Sequence, residues 1–357
     1  MMLRGKATPS GTQTYRVAFG KAVAADHFRS WRDLAVSSVG IGSYLGRDDD
    51  ATDRAYEDAV ERALSGGLNV VDSAINYRRQ RSERAIGRAL KRLEESGRVA
   101  REAVVVATKG GFLPFDGPPP AGLLGPGDLV AGSHCMSARY LEDQLTRSLA
   151  NLGLERVDIY YIHNPETQLA ELPRAAVLER LRAAFEFLED VARGGRIGVY
   201  GTATWTAYRQ PAGATDALSL AEVVAAAESV GGPDHHFRVV QLPYNLAMTE
   251  AFTQPTQMIG SEPVTALEAA RALGVYVMTS ASIYQGQLAR NLPPVIGQFL
   301  PGLRTDAQRA LQFARSTPGV GTALCGMKSI AHVDEAVGLA AVTPVPWAEF
   351  QKLFSPA

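Results

Sequence analysis

The sequence predicts an α/β protein of the (β/α)8 TIM-barrel class, with an N-terminal cap and a C-terminal tail. Three observations carry that prediction. Eight short apolar runs recur along roughly 300 residues, each followed by a segment with apolar residues at helical spacing. The runs are continuous rather than alternating, as parallel strands covered on both faces must be. No Gly-x-Gly-x-x-Gly follows the first run, so the closed barrel is favoured over a doubly wound open sheet.

Composition agrees with one large core. The chain has 357 residues, 46% of them hydrophobic, and a formal net charge of −1. That length is ordinary for a single α/β barrel. Balanced charge gives no reason to expect nucleic acid or an anionic membrane as a partner. No apolar run approaches the ~18 residues of a membrane span, and the first residues lack a signal-like apolar stretch. Cys135 and Cys325 are too few for a disulfide framework and sit in no metal-like spacing. We therefore expect a cytoplasmic protein with free thiols and no metal.

Taken in order, residues 1–34 form the cap, with 1–15 polar and loosely attached and 16–34 a small hairpin or cap. The barrel spans 35–340. Its first strand is placed at 36–41, followed by an acidic turn at 48–50. The helix at 52–65 carries Tyr56, Val60 and Leu64 on one face and stops at Gly66-Gly67. Leu68, Val70 and Val71 make the second strand, which ends abruptly at Asp72. Ile86, Ala89, Leu90 and Leu93 give the next helix an i, i+3, i+4, i+7 stripe. The run 103–108 ends at Lys109, and a long Gly- and Pro-rich loop, 110–137, contains Pro118-Pro119-Pro120. Leu141, Leu145, Leu149 and Leu152 share one face of the following helix.

The second half repeats the unit. A strand at 157–162 ends at His163, and the helix 177–193 stops at Gly194-Gly195. A strand at 197–200 ends at Gly201, and Ser219 with Glu222 opens the next helix in a capping-box pattern. Strands at 239–242, 275–279 and 321–325 are followed by helices opening near Thr265, Thr305 and Ile330. The tail 341–357 holds Trp347 and packs across the outside.

In such a barrel, chemistry belongs to the carboxyl ends of the strands. Those ends carry Asp72, Lys109 and His163, with Tyr77 one short turn beyond Asp72. Singly, each has a bland reading: a loop cap, a solvated rim lysine, a turn histidine, a half-buried aromatic. Together an acid, an amine, an imidazole and a phenol on three consecutive strand ends read as one site. The set suits carbonyl reduction, in which hydride addition leaves negative charge on oxygen and a proton donor must stand close. A phenol with an ordinary pKa near 10 is a poor acid at neutral pH. A neighbouring ammonium lowers that value, a carboxylate holds the ammonium, and an imidazole orients the carbonyl oxygen. On this reading Tyr77 is the acid, Lys109 the tuner, Asp72 the anchor and His163 the orienter.

At this point the sequence resembles the aldo-keto reductase family. Gly67-Leu68-Asn69-Val70-Val71-Asp72-Ser73-Ala74-x-x-Tyr77 is similar to its Gly-(Ile/Leu)-Asn-x-x-Asp-(Thr/Ser)-Ala-x-x-Tyr. Ser82-Glu83-x-x-Ile86-Gly87-x-Ala89-Leu90, Ala107-Thr108-Lys109, Ser148-Leu149-x-x-Leu152-Gly153, Asp158-(x)4-His163-x-Pro165 and Val240-Gln241-x-Pro243-Tyr244-Asn245 follow in the family's order. The resemblance covers about residues 36–340. It implies an NADPH-dependent reductase of an aldehyde or ketone, NADH being possible, with the tetrad on the four residues above. It also implies cofactor contacts from Gly42, Thr204, Gln241, Ser280, Gly326, Lys328, Ser329, His332 and Glu335. Ala203-Thr204 replaces the family's Ser-Asn at the nicotinamide carboxamide, His332 stands where Arg or Gln is usual, and Ala336 replaces an Asn.

Arg78-Arg79-Gln80-Arg81 falls where the family commonly has a glycine. A solvated loop is preferred there over a contact with an anionic substrate or the cofactor. The loops 110–137, 243–264 and 281–304 follow strands on the active rim, and loops longer than ~12–15 residues usually serve as lids or binding loops. His134 and Cys135, within the first of them, are scant grounds for a metal. Two other functions fit parts of the pattern. One is a cofactor-sensing regulatory subunit resembling the potassium-channel β subunits, and the other a Schiff-base aldolase with Lys109 as nucleophile.

Overall fold

A computed structural model describes residues 2–114 and 119–354. Pro118 of the predicted proline run and the last three residues of the predicted tail lie outside the described residues.

The chain opens with helix α1 (Pro9–Phe19), followed by the antiparallel hairpin β1 (Phe28–Trp31) and β2 (Leu34–Ser37). The barrel then begins with β3 (Val39–Gly42), α2 (Asp50–Leu64), β4 (Val70–Asp72), α3 (Arg81–Glu95) and β5 (Val105–Gly110). It continues through α4 (Ala138–Leu152), β6 (Val157–His163), α5 (Arg174–Arg193), β7 (Ile197–Ala203), α6 (Leu220–Gly231) and β8 (Phe237–Pro243). The β8 loop holds a short helix α7 (Glu250–Thr253) and the hairpin β9 (Gln257–Ile259) and β10 (Glu262–Val264). The last elements are α8 (Ala266–Ala272), β11 (Tyr276–Ser280), α9 (Ile296–Phe299), α10 (Asp306–Ser316), β12 (Thr322–Gly326), α11 (Ile330–Ala340) and α12 (Trp347–Phe350). Strands β3 to β8, β11 and β12 pair in parallel and close into an eight-stranded barrel.

Alternation along each strand builds two cores. Val70, Val105, Ala107, Ile159, Tyr161, Val199, Val239, Met278 and Leu324 pack with one another inside the barrel. Val71, Val106, Tyr160, Ile162, Tyr200, Val240 and Val277, in between, pack with the helices. The helical stripes face that second layer as their spacing requires: Ile86, Ala89, Leu90 and Leu93 of α3 are buried. Helix starts are fixed by capping. Asp49 accepts the Thr52 N–H at 2.8 Å to start α2. Thr265 with Glu268 and Thr305 with Gln308 make reciprocal capping boxes for α8 and α10. Gly153 ends α4 in the left-handed conformation, φ 64°.

Two expectations about the start of the chain are corrected. Of the segment expected at 1–15, the described residues 2–15 are not loosely attached. Thr12 and Tyr15 of α1 are buried, the Thr12 hydroxyl accepts the Ala35 N–H at 3.1 Å, and the Tyr15 hydroxyl donates to Leu64 O at 2.5 Å. The Ala7 N–H reaches Asp158 Oδ1 at 2.7 Å. The first strand placed at 36–41 is in fact two pieces, because Ser37 and Ser38 break it with their own buried hydrogen bonds. Residues before that break close the lower end of the barrel, where Trp31 stacks on Tyr276 at 4.8 Å. At the other end of the chain Phe350 of α12 is buried among the outer core. Among the described residues no helix is long and apolar enough to cross a membrane.

Candidate active site

The barrel's parallel register brings the three predicted strand ends to one rim. Asp72 pairs in register with Gly42 on one side and Ala107 on the other, and Lys109 lies opposite Tyr161. Lys109 is fully buried, and its Nζ donates to Asp72 Oδ2 at 2.6 Å and to Ser73 O at 2.7 Å. The other carboxylate oxygen of Asp72 accepts Gln241 Nε2 at 2.9 Å. Lys109 Nζ lies 5.0 Å from the centre of the Tyr77 ring. Across from it the His163 ring meets Tyr77 at 5.8 Å and Phe112 at 5.1 Å, both edge-on.

Burial governs the electrostatics here. It pushes the Tyr77 phenol well above its ordinary value, and the negative charge of Asp72 adds to the rise. The expected downward pull of Lys109 does not prevail in the protein alone. Its ammonium is charge-paired at 2.6 Å, so the phenol faces a largely neutralised pair as it loses water. Burial likewise lowers the Lys109 amine, opposed by Asp72. His163 is held well below the usual histidine range by burial and then by the Lys109 charge, so its imidazole is neutral at pH 7.

His134, read from the sequence as weak grounds for a metal, is a brace. A carbonyl can only accept, so the 2.6 Å contact between His134 Nε2 and His163 O fixes the proton on Nε2. Nδ1 is then free to accept Gln168 Nε2 at 2.8 Å. The ring thereby ties the end of the loop that leads into α4 to the end of β6. Among the described residues no group of three or more His, Cys, Asp or Glu is placed to hold a metal, and both cysteines are free and buried.

A cavity of about 810 Å³ opens above these residues, within the ~300–1,000 Å³ range of small-molecule sites. Asp72, Tyr77 and His163 form part of its wall, and Lys109 lies behind it. Of the residues that the sequence assigned to a cofactor, Gly42, Thr204, Gln241, Ser280, Gly326, Lys328, His332 and Glu335 all line the cavity. Ser329 is not among the lining residues; its hydroxyl accepts the His332 N–H and caps α11. Gln241 spends its Nε2 on Asp72, and the Thr204 N–H donates to Gln241 O at 2.8 Å. Two buried polar atoms of lining residues, Asn76 Oδ1 and His163 Nδ1, have no protein partner among the described residues. A wall with such polar atoms, the Lys328 ammonium, the His332 imidazole as a hydrogen-bonding group, and an open-faced Gly326 fits an anionic, hydrogen-bonding dinucleotide.

Sequence reasoning passed over several wall residues. Tyr44, 4.9 Å edge-on from Tyr77, and Trp205 line the cavity beside the ends of β3 and β7. Extending the strand-end rule by two residues would have found both. Of the three long loops, 281–304 supplies Ala281, Ile283 and Gly286 to the wall, and 110–137 supplies Phe112. The loop 243–264 supplies none among the described residues and folds into α7 and the β9–β10 hairpin instead. The Arg78–Arg81 stretch is a solvated loop only in part: Arg79 is exposed, whereas Arg78 is buried. Arg78 and Arg81 both pair with Asp53, and Arg79 pairs with Asp48 at 3.2 Å. Arginines there meet the acidic turn before α2 and the first turn of α2 itself, which the linear sequence does not bring near them.

Known proteins resemble this chain in the same terms. The model of the Aldo/keto reductase family matches residues 38–227, just over half of the chain. A Schizosaccharomyces pombe protein provisionally named a voltage-gated potassium channel subunit beta is 26% identical over 176 residues, 49% of this chain and 44% of that one. An aldose reductase from Encephalitozoon cuniculi is 32% identical over 132 residues, 37% of this chain and 34% of that one. The chain thus spans less than half the length of these curated relatives. Among solved structures, an aldo/keto reductase from Klebsiella pneumoniae in complex with NADP and acetate has a TM-score of 0.64 at 18% identity, covering 94% of this chain and 97% of its own. At that identity the likeness speaks for the fold.

Proposed function

The chain belongs to the aldo/keto reductase family, and from that premise we propose that it is an NADPH-dependent oxidoreductase that reduces an aldehyde or ketone to an alcohol. The observation that carries the reading is the convergence of Asp72, Tyr77 and His163 at one wall of the cavity, with Lys109 paired to Asp72 directly behind it. A nicotinamide cofactor, when bound, supplies the hydride. The chain's own residues do the rest. The Tyr77 hydroxyl gives its proton to the carbonyl oxygen as charge develops there, and the Lys109 ammonium, 5.0 Å from the centre of the ring, steadies the phenolate left behind. Asp72 and Ser73 O hold that ammonium in place. Neutral His163 contributes a hydrogen bond that orients the carbonyl oxygen.

Lys328 and His332 at the far end of the cavity favour a 2′-phosphate and hence NADPH, while Glu335 beside them works against it. Fluorescence titration with NADPH and NADH measures the balance; tighter NADH overturns this preference. The role of Tyr77 is tested by Tyr77→Phe, which is expected to abolish steady-state NADPH oxidation with aldehydes and ketones while the cofactor still binds. A variant that turns over like the wild type overturns the assignment.

A second reading, a cofactor-sensing regulatory subunit, draws on the Schizosaccharomyces pombe relative. Slow single-turnover oxidation of bound NADPH without steady-state turnover on any carbonyl would favour it. A Schiff-base aldolase is disfavoured because Lys109 is fully buried, doubly hydrogen-bonded and absent from the cavity wall.

A further inference from the structure

We propose that Arg78 is a positioning residue: with Asp53 it forms a buried clamp that fixes both the backbone beside Tyr77 and the aromatic ring packed on it. The inference rests on the reading of Tyr77 as the proton donor.

The chain leaves Tyr77 through three successive residues in the left-handed region, Arg78 at φ 48°, Arg79 at 53° and Gln80 at 72°. Side chains with a Cβ rarely adopt that conformation, so the surrounding structure must impose it. The Arg78 side chain supplies the means. It is 2% exposed, and its Nη2 meets Asp53 Oδ1 at 2.5 Å. Nε donates to Arg47 O at 2.8 Å, Nη2 donates to Asp49 O at 3.2 Å, and the guanidinium lies 5.4 Å from the centre of the Tyr56 ring.

Those partners lead back to the site. Arg47 and Asp49 belong to the loop between β3 and α2, and the Tyr56 hydroxyl donates to Leu45 O of the same loop at 2.5 Å. That loop carries Tyr44, whose ring packs edge-on against Tyr77 at 4.9 Å. Arg78 is therefore joined to Tyr77 twice, by the peptide bond and through the loop that presents Tyr44. Asp53 is itself held by Arg81 at 2.8 Å and Arg88 at 3.4 Å, so the clamp has a fixed far end. Arg78 does not line the cavity, which separates it from any residue that binds substrate or cofactor directly. A glycine would accept φ 48° without strain, so the fold alone does not require an arginine here.

The test uses the full chain with Arg78→Gly, Asp53→Asn and the double variant. Steady-state kinetics and NADPH titration are combined with NMR of protein labelled with ¹³C at tyrosine Cζ, the Tyr77 signal being assigned from Tyr77→Phe. A displaced donor is expected to lower kcat about 10- to 100-fold, with the NADPH Kd changed by less than about 2-fold. The Tyr77 signal should shift or broaden alike in both single variants, and the double variant should be no worse than either, because both remove one unit. An unchanged Tyr77 signal and kcat in a folded variant overturn the clamp. Should Arg78→Gly not fold, Asp53→Asn carries the same readouts, since it keeps the size of the side chain. Should the wild type turn over no carbonyl compound, the proposed reductase activity fails, and the Tyr77 signal still decides the clamp.

Discussion

At the scale of single residues, Asp72 is the most constrained group in the site. One carboxylate oxygen takes the Lys109 ammonium and the other takes Gln241 Nε2. Removing one partner of a buried ion pair leaves an uncompensated charge, which typically costs ~3–5 kcal/mol. Asp72→Leu should therefore lower unfolding stability by about that much, measured by urea denaturation. Adding Lys109→Met to it should recover much of the loss, because it removes the charge left unpaired, while on the proposed mechanism turnover stays absent. A double variant no more stable than Asp72→Leu would place the pair among the structural contacts instead. Asp72, Lys109 and His163 were legible in the sequence because a strand end is marked by the first ionisable side chain after an apolar run, and Tyr77 was reached from Asp72 as the phenol one short turn beyond it. The Gln241 bond to Asp72 and the His134 brace were not. Each joins residues far apart in sequence, and nothing in either neighbourhood announces the partner.

At the scale of elements, the eight runs and their helices were legible from spacing because each element carries its own apolar face. What escaped were elements held by polar contacts. Helix α1 is tied down through Thr12 and the Tyr15 hydroxyl, and the β2–β3 break is made by two buried serines. Strand β7 shows a constraint of a third kind. Its pairing with β8 slips between Tyr200 and Gly201, and a Cβ on Gly201 would lie 1.6 Å from Val239 O. That neighbour is backbone inside a closed barrel and has no room to yield. Gly201→Ala should accordingly destabilise the protein by more than the ~1–3 kcal/mol usual for overpacking, and recover as inclusion bodies or with a sharply lowered Tm. Thr265→Ala is the mild counterpart. It removes the side-chain cap of α8 on the outer layer and should cost about 1 kcal/mol in urea denaturation with turnover unchanged. A near-neutral Gly201→Ala would mean that the strand pair can re-register.

At the scale of the whole molecule, buried histidines couple acidity to both stability and the site. His27 is buried beneath the barrel, with Nε2 donating to Gly67 O at 3.0 Å and Nδ1 within 3.2 Å of the Ser38 hydroxyl. His134 uses the same neutral tautomer beside His163. Burial lowers both from 6.5 to about 4, with Arg315 and Arg29 adding to the effect at His27. Between those values the unfolded chain binds protons that the folded chain refuses. Stability is therefore intact above about pH 6.5 and falls as pH drops toward about 4, by ~1.4 kcal/mol per pH unit for each histidine. Glu83 and Glu166, raised by burial, oppose the trend, since folding favours their protonated forms as pH falls. The comparison with His27→Gln and His134→Gln isolates the histidine share. Each variant should lose stability less steeply than the wild type over that window, by about 1.4 kcal/mol per pH unit in urea denaturation. His134 carries the functional half of the argument. Charging it destroys the acceptor that Gln168 uses and sets two donors against each other there, which displaces the ring that braces the end of β6 even though its Nε2–H still donates to His163 O. Turnover should thus fall in acid before the fold is lost, and a kcat that holds down to the unfolding transition would sever His134 from the site.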